Sequence, residues 1–235
     1  MNKAIIIFLF SLFCFTSASF AYEVTEVKNG GSIEGAVMFA GPTIPKDETL
    51  TISSDVKYCG KSLSAGKYLI TSDRKIKNVV VWITNIKAGK PIPRVDVIVE
   101  NLKCAFVPHV SMGFVGNNFT TKNSDPMFHN VHVYLNEKTM YNIGLPQQGS
   151  TVSKPLKKTG IVEITCDAHP WMHAYSYVFD HPYAAVSNEG GEFVIKDIPA
   201  GVYHIEAWHE ALGRVKMENV KVEAGKSSKI KLEFK

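Results

Sequence analysis

After residue 21 the sequence has no long apolar run, no basic stripe and no segment of convincing helical period with caps. The first absence argues against a membrane-spanning helix in the body of the chain. The second argues against a nucleic-acid surface, because no cluster of lysine and arginine is interleaved with aromatics. The third argues against a helical fold. Charge is sparse as well: charged residues are 20% of 235, and the formal net charge is only +4. Clusters such as KPLKK at 154–158 read as solvated loops. Apolar residues are plentiful at 45%, which is ordinary for a globular protein and unlike a disordered chain. The length suits one or two domains.

The N-terminal stretch is the exception. Lys3 gives a positive start, AIIIFLFSLFCF an apolar stretch and SASFA a small-residue end. That order predicts a secretory leader over residues 1–21, cleaved between Ala21 and Tyr22. An uncleaved anchor is the alternative, against which the shortness of the apolar stretch counts. Phe13 before Cys14 argues against a lipoprotein site. Removing the leader takes one lysine and no acid, which lowers the formal charge from +4 to +3. The expectation is an exported, periplasmic chain with no membrane span after cleavage.

Three cysteines follow the leader: Cys59, Cys104 and Cys166. An odd count in an exported chain leaves one unpaired. Cys166 has metal-ligand spacing, so the expected disulfide joins Cys59 to Cys104. Such a loop would contribute about 4 kcal/mol in the chain-entropy model. Two separate buried thiols remain the alternative.

The pattern reads as all-β. SIEGAVMF at 32–39, VVVWIT at 79–84 and VDVIVEN at 95–101 are short, rich in β-branched residues and separated by turn residues. FVIKDI, VYHIEAW and KIKLEFK continue the pattern. In the last of these, Ile230, Leu232 and Phe234 alternate with lysine or glutamate, which gives one buried and one wet face. Residues 40–75 are rich in proline, lysine, serine and aspartate and read as irregular.

CDAHPWM carries Cys166, His169 and Met172, and SDPMFHNVHVY upstream carries His129. A thiolate, two imidazoles and a thioether form the ligand set of a mononuclear blue-copper site, with Met as the weak axial ligand. Strand parity agrees. In IVEITC, Val162, Ile164 and Cys166 share one face. In HNVHVYL, His129 lies with Val131, Val133 and Leu135, while His132 points the other way. Pro170 restricts the ligand loop and limits how far it can relax. A lone Cys-x₂-His is common, and Met172 alone could be core filler. The conjunction of four ligand types, parity and an exported all-β chain favours copper. Zinc fits less well, because a thioether is a poor zinc ligand. An iron site of four His and one Cys does not match the spacing of His109, His132, His173 and His181. Those four, with His204 and His209, read as surface or satisfied polar residues.

On these residues the chain resembles the cupredoxins, the amicyanin- and plastocyanin-like blue copper proteins. The loop Cys-x₂-His-x₂-Met is similar to their shortest ligand loops, and DPMFHNVH is similar to the segment with their first His ligand. The likeness covers roughly residues 95–180. It implies a Greek-key β-sandwich with one type 1 copper ion near one end. It implies that Asn130 ties the two ligand segments together and that an exposed imidazole edge of His169 is the electron's route. It also implies an apolar docking patch of Pro126, Met127, Phe128, Pro170 and Trp171. The partner would be a redox protein such as a c-type cytochrome or a dehydrogenase.

A second resemblance lies in YAAVSNEGGEFVIKDIPAGVYHIEAWHE, which is similar to the carboxypeptidase regulatory-like domain, a small transthyretin-like β-sandwich. Here NEGG and IPAG are turns, and Tyr203, Ile205 and Ala207 share a strand face. That family's opening G-x-I-x-G-x-V strand stands at Gly31 to Val37. Two arrangements follow. In the first, N-terminal strands join the C-terminal segment and the copper sandwich is inserted between them. In the second, the modules are sequential: an N-terminal β segment at 22–94, a copper domain at 95–182 and the regulatory-like sandwich at 183–235. Trp208, His209 and Glu210 are tempting as a site, but a strand end packed beside the copper module is the safer reading.

The expected function is an exported type 1 copper protein that carries single electrons and is not an enzyme. Four protein ligands leave no open position for substrate. A copper carrier or storage protein and a non-catalytic envelope-binding module are the other classes.

Overall fold

The computed structural model describes residues 22–235. The leader expected over 1–21 lies outside the described residues. Among the described residues the architecture is all-β, and the one helical turn is Val56–Cys59.

Two sandwiches share the chain. In the first, a four-stranded sheet runs in the order Thr151–Pro155, Asn118–Asn123, Val97–Leu102, Ala105–Val107. A five-stranded sheet runs in the order Lys138–Leu145, His129–Leu135, Gly160–Cys166, His173–Phe179, Val110–Phe114. Val97, Val99 and Phe119 from one sheet meet Val131, Val133, Val162 and Ile164 from the other. Alternation along each strand puts these residues inward, as period-two side-chain geometry requires.

The second sandwich is built from both ends of the chain. The strand Gly31–Phe39 lies between Glu192–Ile198, antiparallel, and Ser227–Phe234, parallel. Facing it, Val80–Ile83 lies between Ala184–Val186 and Gly201–His209, with Gly213–Val222 at the edge. N-terminal strands therefore pair with C-terminal ones, and the first sandwich is inserted between them. Ile33, Val37, Tyr203, Ile205, Ala207, Leu232 and Phe234 fill this core.

The run VVVWI owes its continuous apolarity to its position. Val81 and Ile83 face the second core, whereas Val80 and Trp82 face the first sandwich. There Trp82 packs on Tyr177 (centroids 4.7 Å apart) and Phe179 (5.6 Å), and Trp208 meets Tyr175 (5.4 Å). A strand buried on both faces has no need of alternation.

Residues 40–75 are less irregular than their composition suggests. Thr49–Thr51 pairs with Ser62–Ser64, and the helical turn lies between them. The Asp47 carboxylate closes this strap by accepting from the backbone N–H groups of Gly66 (2.8 Å), Lys67 (2.9 Å) and Tyr68 (3.1 Å). Cys59 and Cys104 are joined by a disulfide that anchors the strap to the first sandwich. Among the described residues Cys166 is the free cysteine, and it is buried.

Candidate metal centre

Cys166 ends its strand opposite Val131, and His129 lies two residues further along the same face of the neighbouring strand. After Cys166 the chain turns tightly: His169 N–H donates to the Cys166 carbonyl (3.2 Å) and Met172 N–H to the His169 carbonyl (2.9 Å). These turns fold His169 back beneath the strand ends. Asp167 N–H donates to the Asn130 carbonyl (3.0 Å), so Asn130 joins the two segments through its backbone. Its side-chain oxygen is buried without a hydrogen-bond partner.

The result is a buried cluster. The Cys166 sulfur lies 3.8 Å from His129 Nδ1 and 3.5 Å from His169 Nδ1, and the two Nδ1 atoms are 3.1 Å apart. This is the one cluster of potential metal ligands of its kind among the described residues. Met172 is buried in the apolar cluster that also holds Cys166.

Hydrogen bonding assigns the protons. His129 Nε2 lies 3.2 Å from Asp125 Oδ2, and His169 Nε2 lies 3.0 Å from Asp55 Oδ2. An ionised carboxylate only accepts, so each ring carries its proton on Nε2. Both Nδ1 atoms then present lone pairs to one another and to sulfur. Such a convergence of donors is repulsive unless a cation lies among them. Donor–metal bonds of about 2.0–2.3 Å would hold ligands at separations of this size. Outer carboxylates of this kind fix the tautomer and ring orientation of a metal-bound imidazole. Burial, then the neighbouring His169, pushes the His129 imidazole below its ordinary value, with Asp125 opposing. Burial pushes the Cys166 thiol up, against the backbone N–H groups of Asn130, Ala168 and His169. A bound cation would reinforce the neutral imidazole and invert the preference of the thiol, which coordination deprotonates.

Two expectations need correction. His169 has no exposed imidazole edge: it is 1% accessible, and the strap residue Asp55 covers its outer nitrogen. Trp171 is not part of a docking patch either. It is 8% accessible, its indole N–H donates to the Cys104 carbonyl (3.2 Å), and its ring packs 5.1 Å from that of His169. The strap and its staple enclose what sequence alone presents as a loop tip. Pro126, Phe128 and Pro170 are exposed, and Met127 is half-buried with its sulfur 4.0 Å from Cys59 Sγ.

Asp125 and Asp55 were not singled out from the sequence. A signal for Asp125 existed, four residues before His129 in SDPMFH. Asp55 lies 114 residues from His169, and no local pattern connects them. Three of the other histidines are engaged elsewhere, whereas His204 Nδ1 is buried without a hydrogen-bond partner. His109 pairs with Glu210, His132 with Asp167 (3.1 Å) and Thr139 (2.9 Å), and His209 accepts from Ala211 and Leu212 N–H.

No protein-family model matches the chain, and no curated protein matches it. Among solved structures, the chain is similar to a mutant amicyanin in the Cu(I) form: 21% identity over 36% of this chain and 82% of that one, TM-score 0.33. A purple cupredoxin from Nitrosopumilus maritimus gives 21% identity over 36% and 100%, TM-score 0.32. A copper-containing nitrite reductase from Thermus scotoductus SA-01 gives 22% identity over 41% and 24%, TM-score 0.31. Likenesses this slight carry no argument about activity.

Proposed function

We propose that this chain is a type 1 copper protein that carries single electrons; His129 Nδ1, Cys166 Sγ, His169 Nδ1 and Met172 would hold the ion. The observation that carries this reading is the convergence of three lone-pair donors, two of them on imidazoles whose other nitrogens are bound by carboxylates. Copper would supply a one-electron couple at this point. The chain's own part is to hold the donors in place and keep water out. Two strands, a loop stiffened by Pro170 and the stapled strap leave the imidazoles little freedom to reorient. Four protein ligands leave no position for a substrate, so we read the protein as a carrier and not an enzyme.

The expected leader and the disulfide both fit an oxidising compartment, and we place the protein in the periplasm. Its partner would be a redox protein such as a c-type cytochrome or a dehydrogenase. The second sandwich, read as regulatory-like, serves as a scaffold against which the copper sandwich packs. Among the described residues no helix is long and apolar enough to cross a membrane.

Copper-loaded protein should show an intense thiolate-to-copper band in the visible, and Cys166→Ser should abolish it. A colourless, redox-silent Cu(II) protein ends the proposal. The covered His169 ring favours one competing reading, a carrier or storage protein for Cu(I). Electron self-exchange, followed by NMR line broadening in mixtures of the two oxidation states, separates the two: fast exchange excludes storage.

A further inference from the structure

Both imidazoles of the centre lead outward to the same turn of the strap. His169 Nε2 donates to Asp55. His129 Nε2 donates to Asp125, whose other oxygen accepts from the Tyr58 hydroxyl at 3.0 Å. Asp55 and Tyr58 belong to one helical turn, closed by Tyr58 N–H to the Asp55 carbonyl at 2.9 Å. The next residue, Cys59, is the staple to Cys104. Lys103 N–H and Cys104 N–H also bind Asp125, at 2.6 and 2.9 Å, so the turn and the Asn101–Cys104 corner form one rigid piece.

The outer side of that piece has a distinct character. Val56 is 41% exposed and Tyr58 47%. Lys57 and Lys61 belong to the same turn and Lys103 precedes the staple at Cys104; all three are exposed, and none makes an ion pair among the described residues. Of the acids nearby, Asp125 is buried, and Asp55, though its side chain is 46% exposed, is engaged by His169. An apolar centre with a rim of unpaired cations is the form of an interface that recognises and steers an acidic partner.

We propose that the turn Asp55–Lys61 is the electron port of this protein and that it docks a redox partner with an acidic face. The proposal rests on the copper reading above. It locates the contact on the strap, because the strap closes the His169 edge and supplies two hydrogen-bonded bridges in its place. Electronic coupling falls steeply with distance, and both bridges reach solvent through one or two side chains.

The test uses the full chain loaded as Cu(I) and two inorganic oxidants, the hexacyanoferrate(III) trianion and the tris(phenanthroline)cobalt(III) trication. Each event moves one electron: Cu(I) becomes Cu(II), and Fe(III) becomes Fe(II) or Co(III) becomes Co(II), with no proton or bond exchanged. Stopped-flow growth of the visible band gives the rates. Wild type should react faster with the anion than the triple variant Lys57→Glu/Lys61→Glu/Lys103→Glu, by about tenfold or more at low ionic strength, and added salt should narrow the gap. The same variant should react faster than wild type with the cation. Its optical spectrum should stay unchanged, and the opposite signs of the two rate changes separate docking from any shift of potential, which would move both rates the same way. A control of equal net charge, Lys196→Glu/Lys229→Glu/Lys235→Glu on the other sandwich, should move either rate by no more than about twofold. Unchanged rates in the strap variant, or equal effects in the control, overturn the port while leaving the copper reading intact. A wild-type protein with no visible band overturns the copper reading, and the port with it.

Discussion

Two buried side chains show how much a single residue carries here. The Asp125 carboxylate is fully enclosed and collects His129 Nε2, the Tyr58 hydroxyl and the N–H groups of Lys103 and Cys104. Asp125→Ala strands four donors and should cost about 3–5 kcal/mol in urea unfolding of the metal-free protein. Asp125→Asn keeps an acceptor and should cost less, and equal costs for the two would contradict this account. His209 is also enclosed, and burial pushes its imidazole down to about 4, against Glu210. The unfolded imidazole titrates near about 6.5. Between these values the unfolded chain binds a proton that the folded chain refuses. The contribution of His209 is therefore intact above about 6.5 and is lost as pH falls toward 4, by up to about 3 kcal/mol. Stability measured across that window should fall less steeply in His209→Gln, whose amide oxygen can still accept; an identical slope would refute the assignment.

At the scale of the element, the strap is the part least like a free loop. Asp47 closes it, Asp55 reaches the centre, and the disulfide spans 45 positions to hold it down. Replacing both cysteines, Cys59→Ser/Cys104→Ser, should lower stability by about 2–4 kcal/mol. It should also raise hydrogen exchange at amides 49–64 selectively. Uniform loss of protection across both sandwiches would mean that the staple supports the whole fold and not the strap. Element-level patterning in the strands was legible beforehand: the inward sets Val162–Ile164–Cys166 and His129–Val131–Val133 follow from a period of two alone. The strap was not legible, because its short pairings draw stability from side-chain bonds to distant carboxylates and from a covalent link.

The whole molecule is a discontinuous sandwich, the second, with the first sandwich inserted in it. The strand Val80–Ile83 couples them, with one face in each packing layer. Trp82 carries much of that coupling, packed at a tilt against Tyr177 and Phe179 with the Arg214 guanidinium over its ring. Trp82→Ala should cost about 3–5 kcal/mol. Calorimetry should then resolve two thermal transitions where the parent melts in one. A single transition in the variant would show that the sandwiches are coupled by other contacts.

What the sequence determined by itself was local or combinatorial. Alternation specified the strands, the turns delimited them, and a thiol, an imidazole and a thioether at close spacing, with a second imidazole upstream, pointed to a soft-metal ligand set. Parity chose His129 over His132, since neighbouring strand positions face opposite ways. Only the tertiary structure decided what surrounds that set. Asp55 and His169 are 114 residues apart, and a contact at that separation leaves no trace in periodicity. The same folding buried Trp171 and the His169 edge, which as isolated residues beside a proline look like surface. Which face of a ligand loop meets solvent depends on what packs over it, and here that is a strap encoded far upstream.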